Sequence, residues 1–501
     1  MIRTSDKQER RGELKHGVLG LGDAFAQSFA LLSLALASSL ATSLVAADAG
    51  VAAPWAYIVA GAGSLCLASV IVRFSRRMAS AGGLYTYTSR GLGAEGGFIG
   101  GWLYAGGFAA GISFVMIISG FFLNQVMDTH VGIHFGSDGW FWWFLILMAL
   151  LTAIALRDIR ISTRTQLVIG VASVAAIMLL LVIVLAKGGD AGVTLKPFDP
   201  GRLPSVHGLF LAVVLAFTGY IGFEAAASLG EEAADPLHVI PRAIVMAIGV
   251  GVVYYVFLSW VMAVGFGVAH IDKWATDPAA LDTLAGRYAG TWLAVIVDLA
   301  VSVGAFVAAL AGVNLTARTV FAMAREGGMP RRFAWTHPRF GTPWAAIGAS
   351  LALTLALVVV LARIVWNDPF KYFGFMATTA TFPILGAYIL IAAAGLLYFW
   401  RSRSEDTAFH IVFDGLLPLG AIAICGYTIY ESFKSPGPPP NTASPWIALA
   451  WLGVGLLVLT WLMTTHPDRV RRFGSILGAS EGSETQSAES AVAGAGAARA
   501  P

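Results

Sequence analysis

HGLFLAVVLAFTGYIGFEAAASL, residues 207–229, decides the class of this chain. It holds a single ionisable acid, Glu224, in a run long enough to cross a bilayer as a helix. A hydrocarbon core about 30 Å thick needs about 20 apolar residues at 1.5 Å each. Its middle is odd: Thr218, Gly219 and Gly222 are weak helix formers inside an otherwise apolar run. The stretch thus spells a membrane helix with a soft centre.

Working outward, comparable stretches fill the rest of the chain. They read as 18–47, 52–72, 97–126, 140–156, 163–186, 242–267, 291–317, 344–364, 371–399, 410–431 and 445–465. With the first they predict an all-α integral membrane protein of twelve transmembrane helices. Composition agrees, with 57% hydrophobic and only 12% charged residues, against about 25% charged in soluble domains. The 57 glycines suit helices that pack closely in lipid. The net charge of +3 is too small to argue for nucleic acid as a partner.

An even number of crossings places both termini on one side. The loops on that side hold 24 of the 32 Lys and Arg residues, which predicts cytoplasmic termini and a multi-pass protein of the cytoplasmic (inner) membrane. No cleavable signal peptide is expected, because the first apolar stretch is too long for one. Residues 1–16 read as a polar cytoplasmic tail, 17–400 as the core and 401–470 as the last two helices. Residues 471–501, rich in Gly, Ala, Ser and Glu, read as a disordered cytoplasmic tail. The loop 268–290 carries two short helical patterns and could act as an outer lid.

Three boundary segments stand out: SAGGLYTYTSRGLG (Ser80–Gly93) followed by GGFIGGW (Gly96–Trp102), FTGYIGFEAAASLGEEAADPLHVIPRAI (Phe217–Ile244) and NLTARTVFAMAREGGMPRRF (Asn314–Phe333). In order and spacing, the set resembles the amino acid–polyamine–organocation transporters, and bacterial amino acid permeases in particular. The resemblance covers about Gly17 to Asp468. It implies a leucine-transporter-like fold, with helices 1–5 and 6–10 as inverted repeats and two C-terminal helices appended. Helices 1 and 6 would be broken at mid-membrane, where loosened backbone groups can meet a solute that lipid could never satisfy.

Carried onto this sequence, the resemblance implies a substrate site at Phe217, Thr218, Gly219, Tyr220 and Ile221 in helix 6. In helix 1 it implies Ser33, Ala35 and Ser38, although the family's Gly-rich break is replaced here by Ser33-Leu34-Ala35. Helix 3 would add Gly111 and Ile112, counted from Gly101-Trp102. Thr378 in helix 10 could add a hydroxyl, as could Thr379 and Thr381, or these threonines could bond back to their own helix. Ionisable residues within membranes are costly and point to function. Glu224 reads as a gating or proton-linked group or as a hydrogen-bond hub. Asp298 could hold a cation, pair across helices or reach the outer interface, and Ser302 is the candidate hydroxyl for a sodium site.

The implied activity is secondary active transport of an amino acid or related amine by alternating access, coupled to protons, with sodium as the other candidate ion. An amino acid/polyamine exchanger is the alternative. Glu231, Glu232, Asp235 and Arg242 lie on the side of Arg90, Arg318 and Arg325, where ion pairs could close an inner gate. An integral-membrane enzyme is disfavoured. The nine histidines are scattered, and the i, i+4 pair His130 and His134 falls in a short Gly-containing loop rather than on a metal-binding helix. No Cys-x-x-Cys spacing and no G-x-x-x-x-G-K phosphate loop is present, and no cofactor is implied.

Overall fold

The computed structural model describes residues 14, 16–32, 34–157, 159–403, 410–434, 440–476 and 479–480. Ser33 and most of both tails lie outside them. The chain is all-α. Among the described residues, ten helices are long and apolar enough to cross a membrane. One of these, Leu21–Ser75, runs for 55 residues, far more than one crossing needs, and turns at Gly50 with φ of 59°. Gly139–Ala155 is apolar but shorter. The protein is a multi-pass membrane protein.

We number the main helices in chain order. The first is α1 (Leu21–Leu31), which resumes at Leu34–Leu36 and runs through a π-helical turn, Ala37–Ala41, into Thr42–Ala49. The second and third are α2 (Ala53–Ser75) and α3 (Leu84–Val126), the latter interrupted at Gly93 with φ of 87°. Then come α4 (Gly139–Ala155), α5 (Ile159–Ala186), α6 (Val206–Tyr220), α7 (Pro236–Phe266) and α8 (Thr291–Arg325). The last four are α9 (Trp344–Leu357), α10 (Pro369–Arg401), α11 (Leu417–Lys434) and α12 (Ser444–Thr465).

The core is built by α3, which packs along both α8 and α10. Glycines make the approach possible: a Cβ on Gly107 would fall 2.5 Å from Ile384, and one on Gly91 would fall 2.3 Å from the Ala394 carbonyl. In lipid, where burial of apolar area drives little, such close contact supplies the association. Residues 268–290 form the expected two short helices, Ile271–Ala275 and Ala280–Tyr288. Trp274 is fully buried beneath them and sends its indole N–H to Thr42 Oγ1 at 3.4 Å, which ties this cover to the second half of the α1 segment.

The arginine-rich face carries a strap. Arg471–Ile476 belong by composition to the tail, yet Phe473 is buried and stacks on Phe98 with centroids 5.6 Å apart. Beyond it, Ala479–Ser480 pairs antiparallel with Met78–Ala79. Glu326 anchors the strap. Its carboxylate accepts the N–H of Gly474 at 2.6 Å, that of Ile476 at 3.0 Å and the hydroxyl of Tyr85. Burial raises the Glu326 carboxyl above its ordinary range, against the lowering pull of these hydrogen bonds and of Arg325. A raised native pKa means stability present below the unfolded value and lost as pH climbs through the native one. Hydrogen exchange at Gly474 and Ile476 is therefore expected to slow as pH falls from neutral toward 4.5, after correction for intrinsic rates. In Glu326→Gln that dependence should vanish; a dependence surviving in the variant would assign it elsewhere.

Candidate functional site

α6 begins with Ser205 as its N-cap, whose hydroxyl accepts the Gly208 N–H at 2.8 Å, and stops at Tyr220. From Ile221 to Glu224 the chain turns, then continues as a short 3-10 segment, Ala225–Leu229. Gly222 carries the turn with φ of 104°, where an L side chain is strained. A Cβ there would also sit 2.5 Å from Leu31 Cγ on α1. Gly222→Ala should thus cost about 2–4 kcal/mol from strain plus overpacking. A melting curve of the detergent-solubilised protein checks this; an unchanged midpoint would mean that the turn is soft.

The main chain at the turn is redirected. Gly222 N–H goes to Glu224 Oε2 at 3.2 Å, Phe223 N–H to the Tyr220 carbonyl at 3.3 Å, and Ala225 N–H to the Gly222 carbonyl at 3.0 Å. The donors that a continuing α-helix would send to the carbonyls of Thr218, Gly219 and Ile221 are used elsewhere. The interruption after α1 lies alongside. The Leu32 carbonyl takes the Tyr255 hydroxyl at 2.5 Å, and Ser28 Oγ accepts the Ala226 N–H at 2.9 Å, joining the two interruptions. A polar group left without such partners in lipid would cost several kcal/mol, roughly.

Beside this turn is a cavity of about 50 Å³. Leu31 of α1, Gly111 and Ile112 of α3, Thr218 of α6 with Ile221 just beyond it, Ala309 and Gly312 of α8, and Thr381 of α10 contribute to its wall. No residue of that wall is charged. It is small beside ordinary ligand pockets of about 300–1,000 Å³.

Of the residues singled out in the sequence, Thr218, Ile221, Gly111 and Ile112 meet at this cavity. Others face away from it. Phe217 points at Gly63 of α2, Gly219 abuts Tyr255 of α7, and Tyr220 donates to the Tyr57 carbonyl at 3.0 Å. Ala35 packs against Gly304, and Ser38 bonds to Tyr254 Oη at 2.7 Å and back to the Leu34 carbonyl. Thr378 bonds back to the Gly374 carbonyl at 2.9 Å. Ser302 and Ser119 exchange hydroxyl-to-carbonyl bonds between α8 and α3, at 2.7 and 2.8 Å. Asp298 is fully buried, and neither carboxylate oxygen closes a hydrogen bond among the described residues, although Gln125 lies near enough to act on it. Ser33 lies outside the described residues.

Glu224 is fully buried directly after the turn. Its Oε1 accepts the hydroxyls of Tyr104 on α3 and Tyr388 on α10, both at 2.8 Å. α3 leads from the arginine-rich face and α10 returns to it. Tyr104 and Tyr388 therefore lie on that side of Phe108 and Ile384, and with Glu224 they form a hydrogen-bonded floor between the cavity and that face. Below the floor, Glu232 takes Arg318 in a fork of 2.6 and 3.0 Å, and Glu231 takes Arg325 at 2.9 and 2.5 Å. Glu231 also accepts the Ala81 N–H at 3.1 Å, fastening the Ser80–Gly93 motif to the same cluster. Asp235 pairs with His238 instead. Tyr104, Tyr388 and the α8 wall carry no local signal, apart from the small residues Ala308, Ala309 and Gly312.

A family model described as amino acid permease matches residues 19–458. The chain belongs to that family. Among its relatives, a methylthioribose transporter of Bacillus subtilis is 26% identical over 433 residues, covering 83% of this chain and 87% of the relative. A branched-chain amino acid permease of the same organism is 24% identical over 440 residues, covering 83% and 87%. A low-affinity putrescine importer of Escherichia coli is 24% identical over 441 residues, covering 84% and 88%. This permease thus shares its family with transporters of differing solutes, and the wall of its own cavity is the better guide to its cargo.

Proposed function

We propose that this permease is a secondary active transporter of a small neutral amino acid, working by alternating access across the cytoplasmic membrane with both termini in the cytoplasm. On this reading Leu21–Ser75 makes two crossings and Gly139–Ala155 one, giving twelve, with the first ten as inverted repeats. The supporting observation is the cavity beside released main chain at Thr218–Ile221. Released backbone carbonyls suit an ammonium group, and an uncharged wall suits an aliphatic side chain. A polyamine would call for acidic wall residues, and none is present. The motion opens and closes the ion pairs below the floor, with protons as the coupling ion through Glu224.

The test is uptake by proteoliposomes offered labelled amino acids and amines under imposed proton and sodium gradients. Small aliphatic amino acids should accumulate with the proton gradient. Gly111→Leu is the control. A Cβ at Gly111 meets nothing closer than 3.7 Å, so the larger side chain fills the cavity without disturbing the backbone. Uptake should fall at least about tenfold in that variant, the loss of a bound ligand's contacts being worth 1.4 kcal/mol or more, while melting stays unchanged. Accumulation of putrescine alone, or normal uptake by Gly111→Leu, would defeat the reading.

A further inference from the structure

Two adjoining hollows lie on the opposite flank of α3 from the substrate cavity. The first lies at the arginine-rich face between the end of α8 and α12, with a volume of about 940 Å³. Arg325, Arg331, Arg469 and Arg472 line it, together with Trp335 and Trp461. Among the described residues, Arg331, Arg469 and Arg472 are exposed and carry no ion pair. Arg325 is held by Glu231, but its Nε is buried without a partner. Glu326 is the one acid in the lining, and its oxygens are taken by Tyr85, Gly474 and Ile476. The hollow is therefore strongly cationic.

The second hollow, about 700 Å³, continues from the first at Trp102 and Met329 and runs along the membrane between α3, α9, α10 and α12. Its wall is almost wholly carbon, including Ala109, Ala349, Leu353, Leu357 and Met376. Its floor is rigid. Trp102 and Trp451 stack at 4.4 Å and exchange indole-to-carbonyl bonds at 3.0 and 3.3 Å. Glycines make room for the stack, since a Cβ on Gly106 would lie 2.2 Å from Trp451 and one on Gly455 would lie 2.6 Å from Trp102.

We propose that the two hollows together bind one anionic phospholipid, its phosphate headgroup among Arg331, Arg469 and Arg472 and an acyl chain in the groove. The charge decides the class. Water does not fill an apolar groove at membrane depth, and a zwitterionic headgroup would bring its own cation into an arginine cluster. Arginine matches phosphate oxygens with paired N–H donors, and the indoles mark the interface where headgroups lie. The site also touches the gate, because Arg325 and Glu326 line it and hold Glu231 and the C-terminal strap.

Delipidated full-length protein in detergent tests this. Phosphatidylglycerol, phosphatidylcholine with the same acyl chains, and inorganic phosphate are titrated while binding is read by native mass spectrometry and the shift in melting temperature. Phosphatidylglycerol should bind and stabilise, and the other two should not. Each arginine contributes about fivefold to affinity, so Arg331→Gln/Arg469→Gln/Arg472→Gln should bind on the order of a hundredfold more weakly. Ala349→Phe, which fills the groove from an exposed position, should also weaken binding while leaving the arginines intact. Equal binding of both lipids would remove the headgroup assignment. Equal binding of phosphate alone would make this a site for a soluble anion. A dimer by light scattering that is broken by Ala349→Phe would give the groove to a second copy. Any of these results, or unaltered binding in the variants, overturns the proposal.

Discussion

Arg318→Gln should open the arginine-rich face. Both partners of the Arg318–Glu232 pair are nearly sealed from solvent, with side chains 1% and 2% exposed, and the contact is a two-point fork. Arg318 also donates to the Asn314 carbonyl at 3.3 Å, so the guanidinium has little freedom. Removing one partner of such a pair leaves a buried charge uncompensated and costs about 3–5 kcal/mol. If opening admits water to Glu232, the cost falls on the closed arrangement alone. The open population would then rise by about a hundredfold or more. A cysteine placed at Ala309 on the cavity wall reports this through labelling by a membrane-impermeant thiol reagent applied to that face. Cys66 and Cys425 are replaced beforehand. Labelling should accelerate at least tenfold in Arg318→Gln, in line with the population estimate. Arg325→Gln should do less, because Arg325 is 18% exposed and water can share its role. The double variant Glu232→Gln/Arg318→Gln separates gate from scaffold: removing both charges restores stability but leaves the face unlocked. Labelling that stays slow in all three would show that the pair is scaffold only.

How much of this could be read from the chain differs from place to place, for reasons that are physical. Apolar length gave the membrane class because lipid leaves the backbone no other solution. The interruption of α6 was legible at Gly222, a residue whose positive φ few others tolerate. The cavity wall was legible only by half. The motif marked Phe217 to Ile221 as a block, but successive helical positions point about 100° apart, so five in a row cannot all face one cavity. Thr218 and Ile221 meet the cavity, while Phe217, Gly219 and Tyr220 serve α2 and α7. On α10 the cavity takes Thr381 and Ile384, while the Thr378 hydroxyl bonds back to its own helix.

Contacts far apart in sequence left weaker traces. The acids Glu231 and Glu232 and the arginines opposite them were visible, but not which pairs they form, since that depends on the angle at which α8 crosses the turn after α6. Tyr104 and Tyr388 stand 120 and 164 residues from Glu224, and nothing local to either marks it as a partner. The strap was hidden for another reason. Its composition is that of a solvated tail, and one aromatic, Phe473, with two backbone N–H groups holds it down.

Glu224 carries the second large expectation, and two substitutions divide its roles. Glu224→Ala strands three donors, the hydroxyls of Tyr104 and Tyr388 and the N–H of Gly222, in a site sealed from water. At about 1–3 kcal/mol for each stranded group, partly relieved by rearrangement, the loss should reach about 3–5 kcal/mol and the yield of folded protein should collapse. Glu224→Gln keeps the volume. Its amide oxygen can still accept from both tyrosines, and only the bond from Gly222 N–H to Oε2 is lost, because an amide nitrogen does not accept. The cost should be about 1–2 kcal/mol, leaving a folded protein. What the glutamine cannot do is exchange a proton. If Glu224 couples transport to protons, Glu224→Gln should still exchange labelled for unlabelled substrate across the vesicle wall but should no longer concentrate it when a proton gradient is imposed. Loss of both activities would point to a floor that has lost its shape. Full gradient-driven accumulation in Glu224→Gln would mean that the three-helix floor is a hinge, bonded firmly when closed, and that the proton travels by another path.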